Sequence, residues 1–427
     1  MTEPKSPLYI RNYQLFWLAR FMAVFSTISM VVLIGYQTYD IARADYGMST
    51  ARAAFQLGIL GLVQFIPMFV LAPVAGLVAD RFDRRRVVAI SNLLDCAIAA
   101  VLAFLTWQEA LNLPILFGLA AAHGAVRVFS GPAMSAIVPN IVPPRMLPNA
   151  IALSSIAWQS ASVAGPAVGG LIFALSPAAP HALSAILLFL ASILILALPV
   201  VRADHGETRQ NPWRQVKEGL RFTLRNRFLL GCITLDLFAV LLGGVTALLP
   251  VFARDILEVG PEGLGIMRGA PALGAAIVAL WLSFRPLENN VGVKMLWSVV
   301  IFGAATLAFG LSRNFMLSLA LLVLLGASDM VSVFIRSTLI QLFTPDAMRG
   351  RVSSISGLAI SASNELGEMR AGASAALIGT TGAVVFGGAG AIVITAIWAW
   401  LFPELRRVRT FTPPPDVAGH KDREHKA

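Results

Sequence analysis

The sequence predicts an all-α membrane protein with twelve transmembrane helices in two pseudo-symmetric six-helix bundles. The prediction rests on composition, on the number of long apolar segments and on matching residues in the two halves. Only 13% of the 427 residues are charged, 57% are apolar, and the mean hydropathy is +0.75. Average soluble domains are about a quarter charged, so this composition argues against a soluble enzyme and against a disordered chain.

Many of the apolar segments are long enough to cross a membrane. A transmembrane helix needs about 20 mostly apolar residues. The predicted spans are 15–37, 55–79, 87–108, 113–138, 151–175, 182–201, 229–253, 264–284, 293–312, 315–342, 353–379 and 381–402.

The two cysteines, Cys96 and Cys232, lie far apart in such apolar segments. They give neither a disulfide framework nor a metal-binding spacing.

The basic residues predict the orientation of the chain. Most of them fall near the two termini and in every second loop between the spans. Because cytoplasmic loops carry an excess of Lys and Arg, we expect a multi-pass protein of the bacterial inner membrane with both termini in the cytoplasm. The net charge of +10 is spread around the ends of spans rather than over one polar face, which argues against nucleic acid as a partner.

The longest polar stretch divides the spans six and six. We expect an N-terminal bundle at 1–201, a cytoplasmic linker at 202–228, a C-terminal bundle at 229–403 and a disordered cytoplasmic tail at 404–427. Apolar residues in the second part of the linker share one helical face, which predicts an amphipathic helix on the membrane surface. A plain solvated linker is the alternative.

The two halves carry matching residues in the same order. The sequence LGI at 57–59 recurs at 264–266, and the order Ser–Pro–Met at the end of the fourth span recurs after the tenth. Two parallel repeats of six helices are typical of a transporter whose site lies near the membrane midplane between them.

The string GLVADRFDRRRV closes the second span, and its glycine would let two helices approach closely. The string resembles the G-x-x-x-D-R-x-G-R-R/K signature of the major facilitator superfamily, with Asp83 in place of the second glycine. The resemblance extends over nearly the whole chain. It implies a gate in which Asp80 faces the start of the eleventh span when the cytoplasmic side is closed. Alternatively, the arginines serve only as positive charges that keep this loop in the cytoplasm. The implied gating residues are Gly76, Asp80, Arg81, Arg84 and Arg85.

The fifth span contains the segment AGPAVGG, whose small residues permit close helix contact. This segment resembles the core of the antiporter motif of the superfamily, although Ala161 replaces an upstream glycine. Longer strings, such as YIRNYQLFWLARF and PDAMRGRVSSISGLAISASNELGEMRAG, resemble the branch that includes the bacterial enterobactin (siderophore) exporter and drug-efflux proteins. Ordinary helix packing is the alternative for the glycines. The antiporter-like residues are Gly165, Pro166, Gly169 and Gly170.

Ionisable residues inside spans mark a transport pathway or an ion pair that satisfies itself. Glu365 and Glu368 share one helical face, where two carboxylates resist joint ionisation and suit exchange of a proton for substrate. A structural network with Arg336 or Arg127 is the alternative. The superfamily resemblance implies a role in proton coupling for an arginine at position 127. The proton-coupling candidates are Glu365, Glu368, Asp329 and Arg127.

The chain lacks the motifs of an ATPase or a hydrolase, since it has no G-x-x-x-x-G-K-S/T, H-E-x-x-H or G-x-S-x-G sequence. We expect a transporter, not an enzyme, that exports a small amphipathic, siderophore-like or drug-like molecule by proton antiport with alternating access. The proton motive force would take the place of a cofactor, no metal is expected, and a monomer would contact only its substrate and membrane lipids. A proton-coupled or passive importer is the alternative. A membrane sensor or an intramembrane enzyme is the alternative from another class.

Overall fold

Helices account for all regular secondary structure in the described residues, which are 6–199, 212–285, 287 and 289–411 of a computed structural model. Short 3₁₀ turns and one π turn connect or extend them. The helices are α1 Arg11–Ala44, α2 Thr50–Arg81, α3 Arg84–Trp107, α4 Leu113–Ile141, α5 Leu147–Leu175, α6 Ala179–Leu196, α7 Pro212–Arg225, α8 Arg227–Gly243, α9 Leu249–Val251, α10 Gly260–Phe284, α11 Val291–Leu311, α12 Phe315–Leu342, α13 Asp346–Leu401 and α14 Pro403–Arg407.

Polar caps define where several of the long helices begin. Asn112 accepts a hydrogen bond from a backbone N–H at 3.1 Å at the start of α4, and Asn314 does so at 3.0 Å at the start of α12. Asn226 accepts from two backbone N–H groups at the start of α8. Side-chain caps satisfy donors that the first turn of a helix leaves without partners. These caps fix the boundaries between apolar spans and polar connections.

Eleven helical segments of the described chain are long and apolar enough to cross a membrane, and the last of them runs over 54 residues. That segment is broken at Gly379, the one residue inside it with non-helical dihedral angles, at φ 78° and ψ 161°. Arg370 donates to the carbonyl of Ala383 at 3.4 Å, although thirteen residues of straight helix would separate them by about 20 Å. The chain therefore reverses at Gly379, between the predicted eleventh and twelfth spans. The arrangement of twelve helices in two bundles stays a prediction.

By their contacts the helices form two units. The first comprises Met1–Thr208 with Leu249–Gly269, and the second comprises Arg209–Leu248 with Ala270–Ala427. Residues of α1, α3, α4 and α6 supply most of the core of the first unit, whereas α8, α11 and α12 supply most of that of the second. The segment 249–269, which the sequence assigned to the C-terminal bundle, has its contacts in the first unit. The predicted domain boundaries themselves stay a prediction.

The start of the predicted tail is ordered, so the prediction of disorder was wrong for residues 404–411. Leu405 is buried, and the carbonyls of Val408 and Arg409 accept from the N–H groups of Gly292 and Val291 at 3.0 and 3.2 Å. These N–H groups belong to the first turn of α11, where a helix leaves its donors without internal partners. The tail is held because it completes that helix end. Residues 412–427 lie outside the described part of the chain.

Candidate functional site

The connection between α2 and α3 ties together three helices of the first unit. Asp83 accepts from the N–H of Arg85 at 3.1 Å and pairs with its guanidinium at 2.8 Å, which makes it the N-cap of α3. Arg85 also donates to the carbonyl of Leu198 after α6, and Arg84 donates to the carbonyl of Ala136 in α4 at 3.0 Å. Burial alone would raise the pKa of Asp83, but the hydrogen bonds and charge of Arg85 outweigh it and lower this pKa below its usual value.

The rest of the predicted gate has a mixed outcome. Arg81 is exposed at the end of α2. The side chain of Asp80 lies outside the described residues, so its gating contact stays a prediction. The close helix approach predicted at Gly76 is wrong for the described part of the chain, because nothing lies within 4 Å of a Cβ built there. Asp83, which replaces the second glycine of the superfamily pattern, fixes the conformation of this turn by capping the start of α3.

The antiporter-like segment of α5 forms a tight helix crossing. A Cβ at Gly165 would meet the carbonyl oxygen of Phe25 in α1 at 2.6 Å, and one at Gly169 would collide with Ser29. On the other side, Gly170 lies against Gly265 in α10, where a Cβ on Gly170 would be 3.1 Å from the Gly265 Cα. The predicted close packing is therefore confirmed at these glycines. It places α5 between α1 and α10 within the first unit.

Pro166 completes this crossing. The residue is buried inside α5, and a Cβ built at Gly265 would lie 3.1 Å from its carbonyl carbon. Gly265 belongs to the LGI triplet that recurs in the two halves of the sequence. A backbone-to-backbone contact of this kind needs glycine on both helices. We name the contact of Pro166 and Gly170 with Gly265 the α5–α10 crossing.

Arg127 lies in α4, where one of its guanidinium nitrogens is 3.8 Å from the sulfur of Met68 in α2. One turn earlier on α4, His123 is fully buried and its Nδ1 lies 2.9 Å from a carboxylate oxygen of Asp95 in α3. The His123–Asp95 pair therefore joins α3 to α4. The role of Arg127 in proton coupling stays a prediction.

A cluster of charged and polar residues joins the end of α1 to the segment after α9. The hydroxyl of Tyr39 donates to a carboxylate oxygen of Asp255 at 2.5 Å. Thr50 and Arg43 approach the same oxygen at 3.4 Å. One carboxylate thus accepts from a phenol and a hydroxyl and pairs with a guanidinium, all in the first unit. We name these residues, with Asp40 and Arg254, the Asp255 cluster.

The second half of the cluster is an ion pair in which α1 supplies the acid and the segment after α9 supplies the base. Arg254 pairs with Asp40 at 2.9 Å, donates to its carbonyl at 3.2 Å and lies 6.0 Å above the ring centroid of Tyr39. Arg254 and Asp255 are consecutive, yet both face α1, because the π turn Phe252–Ile256 widens the helix there. Two ion pairs therefore hold residues 252–256 to α1. In one of them the acid lies on 252–256, and in the other the base does.

We expect Tyr39→Phe to loosen this attachment. A hydrogen bond to a charged group contributes about 1.5–3 kcal/mol, so its loss should raise hydrogen–deuterium exchange of peptides from 249–257 by roughly tenfold or more. Tyr36→Phe removes a hydroxyl one turn earlier that makes no hydrogen bond within the described Asp255 cluster, and should raise exchange much less. Equal exchange in the two variants would show that the Tyr39 hydroxyl does not hold this segment.

The second unit contains a buried ion pair next to a third ionisable group. Arg336 of α12 pairs with Asp236 of α8, and both side chains are at least nine-tenths buried. Asp329 lies two turns before Arg336 on α12 and lines the same small cavity as Asp236 and Ser332. The sequence identified Asp329 and offered a network of the glutamates with Arg336 or Arg127 as an alternative. The structure shows that Arg336 reaches Asp236 across the helix interface, and the network with the glutamates stays a prediction.

Glu365 and Glu368 lie one turn apart on α13, as predicted, and both are half-buried. Neither lines the cavity that contains Asp329. Arg370 turns away to the end of α8, where it donates to the carbonyls of Leu241 at 3.1 Å and of Leu242. The helix ends there and leaves its last carbonyls without internal partners, so a guanidinium is a suitable cap.

Sequence reasoning missed the Asp255 cluster and the partner of Arg336. One signal was present for the first, because RD at 254–255 is an adjacent pair of opposite charges in an apolar segment. No spacing rule points to the second, because Asp236 and Arg336 are 100 residues apart. Within the described residues, no group of three or more His, Cys, Asp or Glu side chains could hold a metal ion.

Comparisons with known proteins agree with this architecture. A family model described as a transmembrane secretion effector, within the major facilitator superfamily, matches residues 2–413. The enterobactin exporters EntS of Shigella boydii and Escherichia coli are 27% identical to the chain over 402 residues, which are 93% of the chain and 93% of each relative.

Solved structures share the fold. A bacterial homologue of the human lysosomal transporter Spinster, inward-facing and unoccupied, has a TM-score of 0.72 at 14% identity and covers 93% of this chain and 99% of its own. A bacterial homologue of the iron transporter ferroportin, also inward-facing, has a TM-score of 0.66 at 17% identity, with the same coverage. At these identities the likeness extends to the fold alone.

Proposed function

Since the chain belongs to the transmembrane secretion effector family of the major facilitator superfamily, we propose that it exports a small amphipathic molecule by proton antiport. The molecule is siderophore-like or drug-like, as the 27% identity to the enterobactin exporters suggests. Twelve helices in two bundles would alternate access from a monomer in the inner membrane, with both termini in the cytoplasm. The proton motive force would supply the energy, without a cofactor.

One observation carries the proton-coupling part of the proposal, namely the cavity that Asp329 shares with Asp236, which is the ion-pair partner of Arg336. Two carboxylates and one guanidinium have a net charge of −1 when all are ionised. A buried uncompensated charge is costly, and binding one proton makes the group neutral. The site therefore suits a single proton that binds and leaves.

The same three groups offer a way to link the proton to a movement. With Asp329 protonated, Arg336 keeps its ion pair with Asp236. Once Asp329 loses the proton, its carboxylate competes for the guanidinium, and Arg336 is drawn along α12. Such a competition gives α8 and α12 two arrangements that differ by one proton, which is what antiport requires.

Vesicles that contain the purified protein test this assignment. Enterobactin and a lipophilic cationic dye serve as separate probes, and a pH gradient drives their movement. We expect Asp329→Asn to reduce gradient-driven accumulation at least tenfold while it leaves exchange of substrate for substrate in place. Exchange needs no net proton transfer, so it reports on binding and on movement of the protein.

Glu365→Gln and Glu368→Gln provide the comparison, because they test the two other carboxylates proposed for the proton. Unchanged gradient-driven transport by Asp329→Asn, with loss in either glutamine variant, would move the proton to α13. Movement of substrate and proton in the same direction would instead identify an importer. Failure of both probes to move would contradict the substrate class.

A further inference from the structure

Helix α7 has one face that no described residue covers. Leu220 and Leu224 are 44% and 56% exposed, and they lie one turn apart. Lys217, Arg221 and Arg225 are exposed on the same side of the helix. Positions 217, 220, 221, 224 and 225 are neighbours on a helix surface. The result is a strip of two leucines edged by three positive charges, which we name the α7 strip.

The opposite face of α7 is fixed to α13, so the direction of the strip is set. Glu218 pairs with Arg351 at 2.8 Å, and a Cβ built at Gly219 would meet the carbonyl oxygen of Arg351 at 2.9 Å. Thr223 is buried one turn later. These contacts belong to the second unit. Because these contacts fix the rotation of α7 about its axis, Leu220 and Leu224 stay on the exposed face.

The strip lies at the edge of a membrane span. Helix α7 ends at Arg225, and Asn226 caps α8, whose apolar residues begin at once. An open groove of about 570 Å³ continues the strip, and its lining combines aromatic rings with charged groups. Arg227, on the groove, pairs with Glu404 at 3.4 Å and leaves most of its side chain exposed. The groove is lined by Phe222, Arg225, Asn226, Arg227, Phe228 and Glu404.

We infer that the α7 strip and this groove form a binding site for anionic phospholipid headgroups. The leucines would enter the boundary of the acyl chains, and the basic side chains would contact lipid phosphates. Arginine suits this role because its planar guanidinium binds phosphate with two hydrogen bonds. The bound lipids would hold α7, and through the Glu218–Arg351 pair the start of α13, at the membrane surface.

A fluorescent label on the strip tests the inference in the full-length protein. Leu224→Cys in a Cys96→Ser background is labelled with a bimane dye, since Cys232 is buried, and the protein is placed in phosphatidylcholine vesicles. Doxyl-labelled phosphatidylglycerol and doxyl-labelled phosphatidylcholine then compete as quenchers. We expect preferential quenching by phosphatidylglycerol, weakened at 1 M salt, where the screening length falls to about 3 Å.

Removal of charge separates this inference from a purely apolar membrane contact. Each of Arg221→Gln and Arg225→Gln should reduce the preference for phosphatidylglycerol about fivefold. Arg406→Gln with Arg407→Gln removes two exposed charges from α14 and should leave the preference in place. Equal quenching by the two lipids, or quenching by neither, would overturn the inference, because the strip would then contact lipid without regard to charge or be covered by protein.

Discussion

Replacement of Asp236 by Asn is expected to lower the free energy of unfolding by about 3–5 kcal/mol, because it breaks a buried ion pair on one side only. The substitution leaves the guanidinium of Arg336 buried at the interface of α8 and α12 with its nearest anion removed. The cost comes from a buried guanidinium that has lost its adjacent carboxylate and must turn towards Asp329, two turns away on α12, and removal of both charges together costs far less. Asp236→Asn combined with Arg336→Met should therefore recover much of the lost stability.

Thermal unfolding of the purified protein in detergent measures this effect. Asp329→Asn is the matched control, because it makes the same chemical change in the same cavity but leaves the Arg336–Asp236 pair intact. We expect a clear fall in midpoint for Asp236→Asn and a small change for Asp329→Asn. Equal shifts in the two variants would mean that the cavity responds to loss of any carboxylate, and the ion pair would have no special role.

Replacement of Gly265 by Ala is expected to open the α5–α10 crossing. The new Cβ would lie 3.1 Å from the carbonyl carbon of Pro166 and nearer still to its oxygen, and neither can turn away as a side chain could. Insertion of extra atoms into a well-packed contact costs about 1–3 kcal/mol, and more where backbone must move. Gly170→Ala should act at the same contact, so the double variant should lose less than the sum of the two.

The midpoint of thermal unfolding and the rate of transport both report on this crossing. Gly118→Ala in α4 is the control, because nothing described lies within 4 Å of its Cβ. We expect it to match the parent protein, while Gly265→Ala loses stability and transport together. Full transport by Gly265→Ala would show that α5 and α10 need not approach so closely, and the antiporter-like segment would then have no special packing role.

Much of the fold followed from local physics. An apolar segment of about 20 residues can satisfy its backbone in lipid only as a helix, so the spans were visible in the sequence. The glycines of α5 were equally visible, because small residues at helix spacing predict close packing. The partner helices were not, since nothing in AGPAVGG says that Gly170 meets Gly265 rather than another helix.

The candidate site was harder to predict because ion pairs depend on tertiary packing. Asp236 and Arg336 lie on separate helices, and either could have paired with several other charges of the sequence. The Asp255 cluster depends on a π turn, which brings two consecutive residues to one face and has no periodic signal. The reversal at Gly379, by contrast, lies where the sequence divided the predicted spans 353–379 and 381–402, although one glycine makes the turn without a polar connection.

That reversal has a consequence for experiments on topology. A protease or an antibody has no polar loop to bind between the two segments, because the single residue Gly379 makes the turn. An epitope inserted after Gly379 would disrupt a helical hairpin instead of lengthening a loop. The accessibility of that epitope would then not report on which side of the membrane the turn lies in the native protein. A tag next to Arg313, in the short exposed connection between α11 and α12, would report on the same side, because Arg313 donates to the Thr381 hydroxyl at 3.0 Å beside the reversal.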